Sequence, residues 1–378
     1  MTNICYLCSG TTDQSYIIKH IPSAAQIFKN SATAALEEKL DFEVFECHDC
    51  GLAQFPGALV PYFQEVIRSS SLSKPMMNYR RIQFQDFLSD IPNKTEQPNV
   101  FELGAGRGEY LDIFFNLGCA TYGIEGSKAL SRLGQASGHN IQNGFLDEQL
   151  SLSIKGTAYD AAVSFNFIEH LPDPRSTLKL ILQLLKEDGL ALFEVPNFDM
   201  ISNYHLFNEF IPDHRFYFTK KSFSLLLELS GFEVIKMRTI WDDYIISAIA
   251  RPRPKYQWAD FETRRLEMKN ETISFFRNTE RHKNAIWSAG HQSLATISNF
   301  GLQDHVSYII DSSPAKQETF APGSGLKIIA PNLINTLPIE KIMVAAAGFN
   351  DEIIEFIRAN CGQEMVLSVL DKGAVRVV

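Results

Sequence analysis
No stretch of the 378 residues is apolar over the ~18–20 positions that a membrane-crossing helix needs, so a soluble chain is expected. No basic segment followed by an apolar core opens the sequence, and with no secretory leader in view the expected compartment is the cytoplasm. Cationic charge is in deficit: 35 Lys and Arg stand against 44 Asp and Glu, a formal net charge of -9. Proteins that grip nucleic acid neutralise its phosphates with a basic face, and no basic, aromatic-interleaved run exists here, which excludes nucleic acid as the expected partner. Fixed-period repeats and low-complexity tracts are absent as well. Cysteine is scarce, six in all, and in a reducing compartment disulfides are not expected.

Four of those six cysteines nevertheless fall into two matched pairs, "CYLC" (Cys5, Cys8) and "CHDC" (Cys47, Cys50). A C-x2-C knuckle lets two thiolates converge on one ion, and two knuckles complete a tetrahedral S4 site of the kind that suits structural zinc. The 38 residues between the knuckles exceed a common ribbon spacing, so the intervening chain must fold back as a small subdomain. His48 reads as a solvated neighbour, and Cys119 and Cys361 as packing residues.

At ~100–200 residues per domain the length implies two or three domains. The zinc-binding module is expected over residues 1–60, followed by a helical lid or linker over 61–98, where "YRRIQFQDFL" carries an apolar stripe at helical spacing. From Val100 the pattern becomes strand, glycine turn, helix in "NVFELGAGRGEYLDIFFNLG", then strands in "ATYGIEGS" and "YDAAVSF". The helix "STLKLILQLLKEDG" leads into the strand "LALFEVP", and "GFEVIKMRTIWDDYIISAIARP" reads as two joined strands. This alternation predicts a parallel sheet with crossover helices over 99–253. A polar helical connector is expected over 254–284 and a second α/β domain over 285–378.

In "ELGAGRG", Gly104, Gly106 and Gly108 lie between a strand and a helix, with Ala105 between the first two. Glycines there permit a sharp turn and close backbone approach to a ligand at the helix N-terminus. Glu102 precedes the loop, and Glu125 ends the second strand, where an acid can hold ribose hydroxyls.

On these residues the sequence resembles the class I S-adenosylmethionine (SAM) methyltransferases: "ELGAGRG" is similar to their first motif and "YDAAVSFNFIEHLPDP" to their fourth-strand segment. The resemblance implies SAM as cofactor, with Glu102, Gly104, Ala105, Gly106 and Glu125 around its methionine and ribose portions. Phe145 and Leu146 of "NGFLDE" would flank the adenine, and Asn166 and Phe167 would line the floor near the methyl donor. Glu169 and His170 either work near the substrate or orient the loop.

The order of zinc module, SAM domain and trailing α/β domain resembles the sugar C-methyltransferases of branched deoxysugar biosynthesis. The strand "YIID" with the "SSPAKQETFAPGSGLKIIAP" that follows it, and later "VAAAGFNDEII", carry that likeness into the third domain. The implied fold is α/β: a Rossmann-like SAM sheet between a small N-terminal zinc module and a second Rossmann-like domain. The implied acceptor is a small molecule, a nucleotide-linked keto sugar methylated on carbon next to the ketone, by a monomer or homodimer. That reaction needs a base, a group to stabilise the enolate, and a methyl group held in line. The family's Tyr-His-Glu-His run corresponds here to "IPDH": Asp213 and His214 keep the acid and final histidine, while Ile211 and Pro212 depart. The family tyrosine before "SSS" is also missing. His214, oriented by Asp213 or helped by Tyr217, is then the expected base; alternatively the acceptor differs, as in O-methylation of a hydroxyl, or the chain is a non-catalytic SAM-binding scaffold. In the third domain "WSAGHQS" has His291 and Gln292 where relatives carry a lysine, and Lys316 either meets a phosphate or is an ordinary surface lysine.

Overall fold
A computed structural model describes residues 3–23, 30–31, 39–57, 60, 73–93, 95–149, 158–361 and 365–378, in two compact units, residues 1–254 and 255–378. The segment before "SSS", within 61–72, lies outside the described residues.

Unit 1 begins with a small antiparallel sheet of Asn3–Ile4 (β1), Thr11–Pro22 (β2), Lys39–Cys47 (β3) and Ala53–Gln54 (β4). Helix Lys74–Ser89 (α1) follows, started by Ser73, whose hydroxyl accepts from Met76 N, with a proline in the first turn. Next come Asn99–Leu103 (β5), Glu109–Asn116 (α2), Ala120–Glu125 (β6), Lys128–Ala136 (α3), Ile141–Asn143 (β7), Tyr159–Phe165 (β8), Pro174–Leu184 (α4), Leu185–Pro196 (β9) and Phe198–Asn203 (α5). The sequence pattern carries α4 on to Gly189; in the structure it stops at Leu184. Leu185 already pairs with Tyr159, and Lys186 is drawn to Asp160 at 2.6 Å. Phe216–Tyr217 (β10) then pairs with β4 and so closes the small sheet, before Lys220–Leu229 (α6), Phe232–Ile240 (β11) and Ile245–Pro252 (β12) return to the large one.

The large sheet has the order β11-β12-β9-β8-β5-β6-β7, parallel except for the antiparallel β11–β12 pairing and β12 against β9. Alternate residues of its strands feed cores on both faces: Phe101 packs on one side with Phe193 and Ile246, Val100 on the other with Phe84 and Phe114. The order reverses between β5 and β8, which places the β5–α2 loop at a switch point, where open α/β sheets hold ligands.

Unit 2 opens with helix Trp258–Phe276 (α7), whose Phe276 is buried in the unit's own core. Strands Asn284–Trp287 (β13), Tyr308–Ile310 (β14), Lys327–Ile329 (β15), Lys341–Val344 (β16), Val366–Asp371 (β17) and Ala374–Val377 (β18) form one sheet ordered β15-β14-β13-β16-β17-β18. It is parallel but for β18, with His291–Phe300 (α8) and Asn350–Asn360 (α9) between strands.

Candidate active site
The glycine loop turns because its residues can. Gly104, Gly106 and Gly108 have φ of 77°, 58° and 93°, and a Cβ on Gly104 would stand 2.8 Å from the Phe167 ring. Gly104 N and Ala105 N both donate to the Ile124 carbonyl, at 2.9 and 3.0 Å, tying the loop to the end of β6. Glu125 braces it from the same strand: one carboxylate oxygen accepts from Gly106 N at 2.8 Å, the other from Ser127 N at 2.7 Å. A carboxylate oxygen accepts more than one hydrogen bond, so two vicinal hydroxyls can share this acid with the loop. Glu102 is fully buried on β5 just before the turn.

Beside this loop lies a mainly apolar cavity of about 360 Å³, walled by Leu103, Ile124, Phe145, Leu146 and Phe167 and floored by Gly126 and Gly144. An aromatic base fits such a slot, so the residues present suit the cofactor that the loop implies. Asp147, also on the cavity wall, is a polar group that no motif in the sequence marks; it follows the expected pair directly. Asn166 begins the next segment at φ 48°, its N–H donating to the Glu194 carbonyl at 2.9 Å.

That segment continues as a 3-10 turn, Ile168–His170, which meets the 211–217 stretch. His170 Nδ1 lies 2.8 Å from the Asp213 carbonyl, and Arg215 N donates to the Glu169 carbonyl at 3.0 Å. The His170 and His214 rings meet edge-on with centroids 4.7 Å apart. The sequence treats Glu169–His170 and His214 as separate candidates; the fold makes them one cluster. Asp213 serves it through its backbone carbonyl on His170. Tyr217 donates its hydroxyl proton to the Ile211 carbonyl and accepts from Ile211 N, both at 3.0 Å, so it closes the turn and offers His214 its ring.

The electrostatics of the cluster follow from burial. Glu169 is 1% exposed, neither carboxylate oxygen has a hydrogen-bond partner among the described residues, and burial pushes its carboxyl up to about 8. Burial, followed by the neighbouring His170, holds His214 well below the usual histidine range. His170 is likewise lowered by burial, with the Asp213 carbonyl opposing.

A buried ion pair that the sequence does not single out sits behind Asn166. Arg80 of α1 donates to Glu194 of β9 at 2.5 Å and to Gln83 at 2.7 Å, and Gln83 donates to Glu194 at 2.5 Å. The Arg80 guanidinium lies over the rings of Tyr110, Phe165 and Trp241 at 5.2, 5.0 and 5.7 Å. The available signal was a charged residue on the apolar stripe of "YRRIQFQDFL".

In the small sheet the four thiols converge. Cys5 and Cys50 Sγ stand 3.6 Å apart, Cys8 and Cys47 Sγ 3.5 Å, and all four sulfurs lie within 4.8 Å of one another. An ion with ~2.3 Å bonds to tetrahedral sulfur needs sulfur separations of ~3.8 Å, so the cluster is compatible with zinc. His48 is exposed beside it.

In unit 2 the stretch from Asp311 to Gln317 is spent on structure. Asp311 accepts from Ala289 N at 2.7 Å, from Ser313 N at 2.9 Å and from Lys316 Nζ at 3.1 Å, while Lys316 also reaches the Ala289 carbonyl and Gln317 the Asp311 carbonyl. Gln292 of the departing "GHQS" turn accepts from Ala347 N.

The seven-stranded sheet, its braced glycine loop and the adjoining cavity have the arrangement of a class I SAM methyltransferase domain. Residues 76–237 match the family model of a methyltransferase domain, and residues 253–369 that of a C-methyltransferase C-terminal domain; together the two matches support a SAM-dependent C-methyltransferase family for this chain. Over 133 residues it is 28% identical to the ubiquinone biosynthesis O-methyltransferase of Chromobacterium violaceum, a match that covers 33% of this chain and 54% of that protein. The chain thus spans about half the length of this curated relative. Similar solved structures include the PH0226 protein of Pyrococcus horikoshii OT3 (15% identity, 52% of this chain and 100% of that one, TM-score 0.40). Another is the CurJ carbon methyltransferase (15% identity, 50% and 57%, TM-score 0.38).

Proposed function
We propose that this enzyme methylates a carbon next to the ketone of a nucleotide-linked keto-deoxysugar, with His214 as general base. The observation that carries the choice of carbon is the C-methyltransferase C-terminal domain over residues 253–369. In this reading Glu102, the 104–106 loop, Glu125, Phe145, Leu146, Asn166 and Phe167 hold the cofactor, and Cys5, Cys8, Cys47 and Cys50 hold a structural zinc ion. When bound, the cofactor supplies a methyl group on a positively charged sulfur.

His214, kept neutral by burial, takes the carbon-bound proton, and the freed electron pair moves onto the carbonyl oxygen. Glu169, protonated at neutral pH, donates a hydrogen bond to that oxygen as charge collects on it. His170, pinned to the Asp213 carbonyl, and Tyr217, pinned to Ile211, are positioning residues for the pair. O-methylation of a hydroxyl is the second reading, favoured by the name of the Chromobacterium relative; a single neutral histidine suffices for it.

The deciding experiment incubates the protein with 13C-methyl SAM and a panel of nucleotide-linked 4-keto-deoxysugars in deuterated water. A carbon-bound 13C-methyl signal, with exchange of the alpha proton that disappears in His214→Ala, supports the first reading. An oxygen-bound methyl signal supports the second. Cofactor binding with neither product nor exchange on any acceptor would sink both.

A further inference from the structure
We propose that Glu169, His170 and His214 form a second metal site, distinct from the cysteine cluster, that takes one divalent first-row transition ion. The three residues each offer one ligand atom, and these atoms lie within 4.8 Å of one another. The tautomer of His170 is fixed by its neighbour: a carbonyl can only accept, so Nδ1 carries the proton toward Asp213 at 2.8 Å, and neutral His170 keeps its lone pair on Nε2. A ligating histidine is usually held in this way, its other nitrogen bound to a carbonyl or carboxylate.

Nε2 lies 3.7 Å from Glu169 Oε1. The distance is too long for a hydrogen bond. It is close to the ~3.4 Å that separates two ligand atoms each ~2.1 Å from one ion at a tetrahedral angle. Glu169 reinforces the point independently, being 1% exposed with both oxygens unpartnered among the described residues. A buried carboxyl group there either keeps its proton or gains a cationic partner, and an ion that displaces the proton supplies one. His214 closes the third side against His170 and is less deeply buried than the other two residues. Two imidazoles and a carboxylate favour Zn2+, Co2+ or Fe2+ over the hard alkaline-earth ions, while the thiolate cluster keeps its own ion by softness.

An ion bound to His214 occupies the lone pair that the proton would take, so the metal-bound and base-competent forms exclude each other. That corollary rests on His214 being the base; the site itself does not. Co2+ is the probe for the whole chain, because four thiolates give intense near-ultraviolet charge-transfer bands whereas nitrogen and oxygen ligands give only weak visible bands.

The expected result is one Co2+ equivalent with visible bands free of thiolate charge transfer, its affinity lowered roughly tenfold or more in Glu169→Gln and in His214→Ala. Glu169→Gln keeps the shape of the side chain, and circular dichroism verifies its fold. The absence of any thiolate-free equivalent in the wild-type chain overturns the proposal, as does unchanged affinity in either variant. Loss of methyl transfer in step with Co2+ uptake then tests the corollary; uptake without loss would reject His214 as the base and leave the site standing.

Discussion

Single atoms decide what the loop and the strand ends can hold. At Gly104, a methyl group meets the Phe167 ring at 2.8 Å while φ stands at 77°, a conformation that costs a residue with a side chain about 1–3 kcal/mol. Gly104→Ala should therefore push Phe167 into the adjoining cavity and weaken SAM binding at least tenfold in calorimetric titration; unchanged affinity would mean that the cofactor lies elsewhere. Asp311 offers a residue-scale test in unit 2. Burial works against its charge, but the N–H groups of Ser313 and Ala289 and the Lys316 ammonium hold its carboxyl below the usual carboxylate range. Because its folded value is depressed, its contribution to stability is present above the unfolded value near 3.8 and fades as pH falls below it. Asp311→Asn should cost unit 2 about 1–2 kcal/mol at pH 7 and flatten the acid limb of its stability profile. A thermal melt series from pH 7 to 3 that matches wild type would refute this.

Elements register the same physics over longer separations. Helix α1 is fastened to β9 by Arg80, Gln83 and Glu194, all buried, with Trp241 of the β11–β12 hairpin packed over the guanidinium at a φ of 57°. Deleting one charge of a buried pair leaves the other uncompensated, so Glu194→Gln should lower the stability of unit 1 by about 3–5 kcal/mol. Exchanging both for residues of similar volume, Arg80→Met with Glu194→Gln, should recover part of that loss. A denaturation series in which the double variant is no better than the single would show that the charge pair is not what holds α1. Such couplings mark the limit of what the sequence displays. The glycine loop, Glu125 and the cysteine pairs were legible because their chemistry is written within a few neighbouring residues. The Glu169–His170–His214 cluster was not, since its halves meet only through tertiary contacts such as that of His170 with the Asp213 carbonyl, 43 residues away. Arg80 and Glu194 are 114 residues apart, and no local pattern announces their meeting. Alternation showed both strands of the β11–β12 hairpin, whereas the end of α4 depended on Asp160 drawing in Lys186, a tertiary contact that local propensity does not carry.

At the scale of the whole molecule, the cysteine cluster matters through one short strand. Phe216–Tyr217 pairs with Ala53–Gln54, which follow the second knuckle directly, and lies two residues after His214. The small sheet that the four thiols pin together is therefore the same sheet that fixes the 211–217 turn. Two-residue strands cannot hold themselves in water, so the turn draws its rigidity from Cys5, Cys8, Cys47 and Cys50 and from the tilted and edge-on ring contacts among Phe42, Phe210 and Tyr217. Stripping an ion from this cluster with a strong chelator, or replacing Cys47 by serine, should release β10, let Tyr217 leave Ile211, and cut methyl transfer by at least tenfold. The cavity beside the glycine loop is lined mainly from β5, β6, the 144–148 turn and the start of α4, with none of the four cysteines on its wall, and unit 2 has its own core. Cofactor affinity should accordingly fall far less than turnover, and the melting transition of unit 2 should stay in place. Equal losses of cofactor binding and turnover on chelation would mean instead that the small sheet supports all of unit 1, and that its cysteines act on the fold before they act on the site.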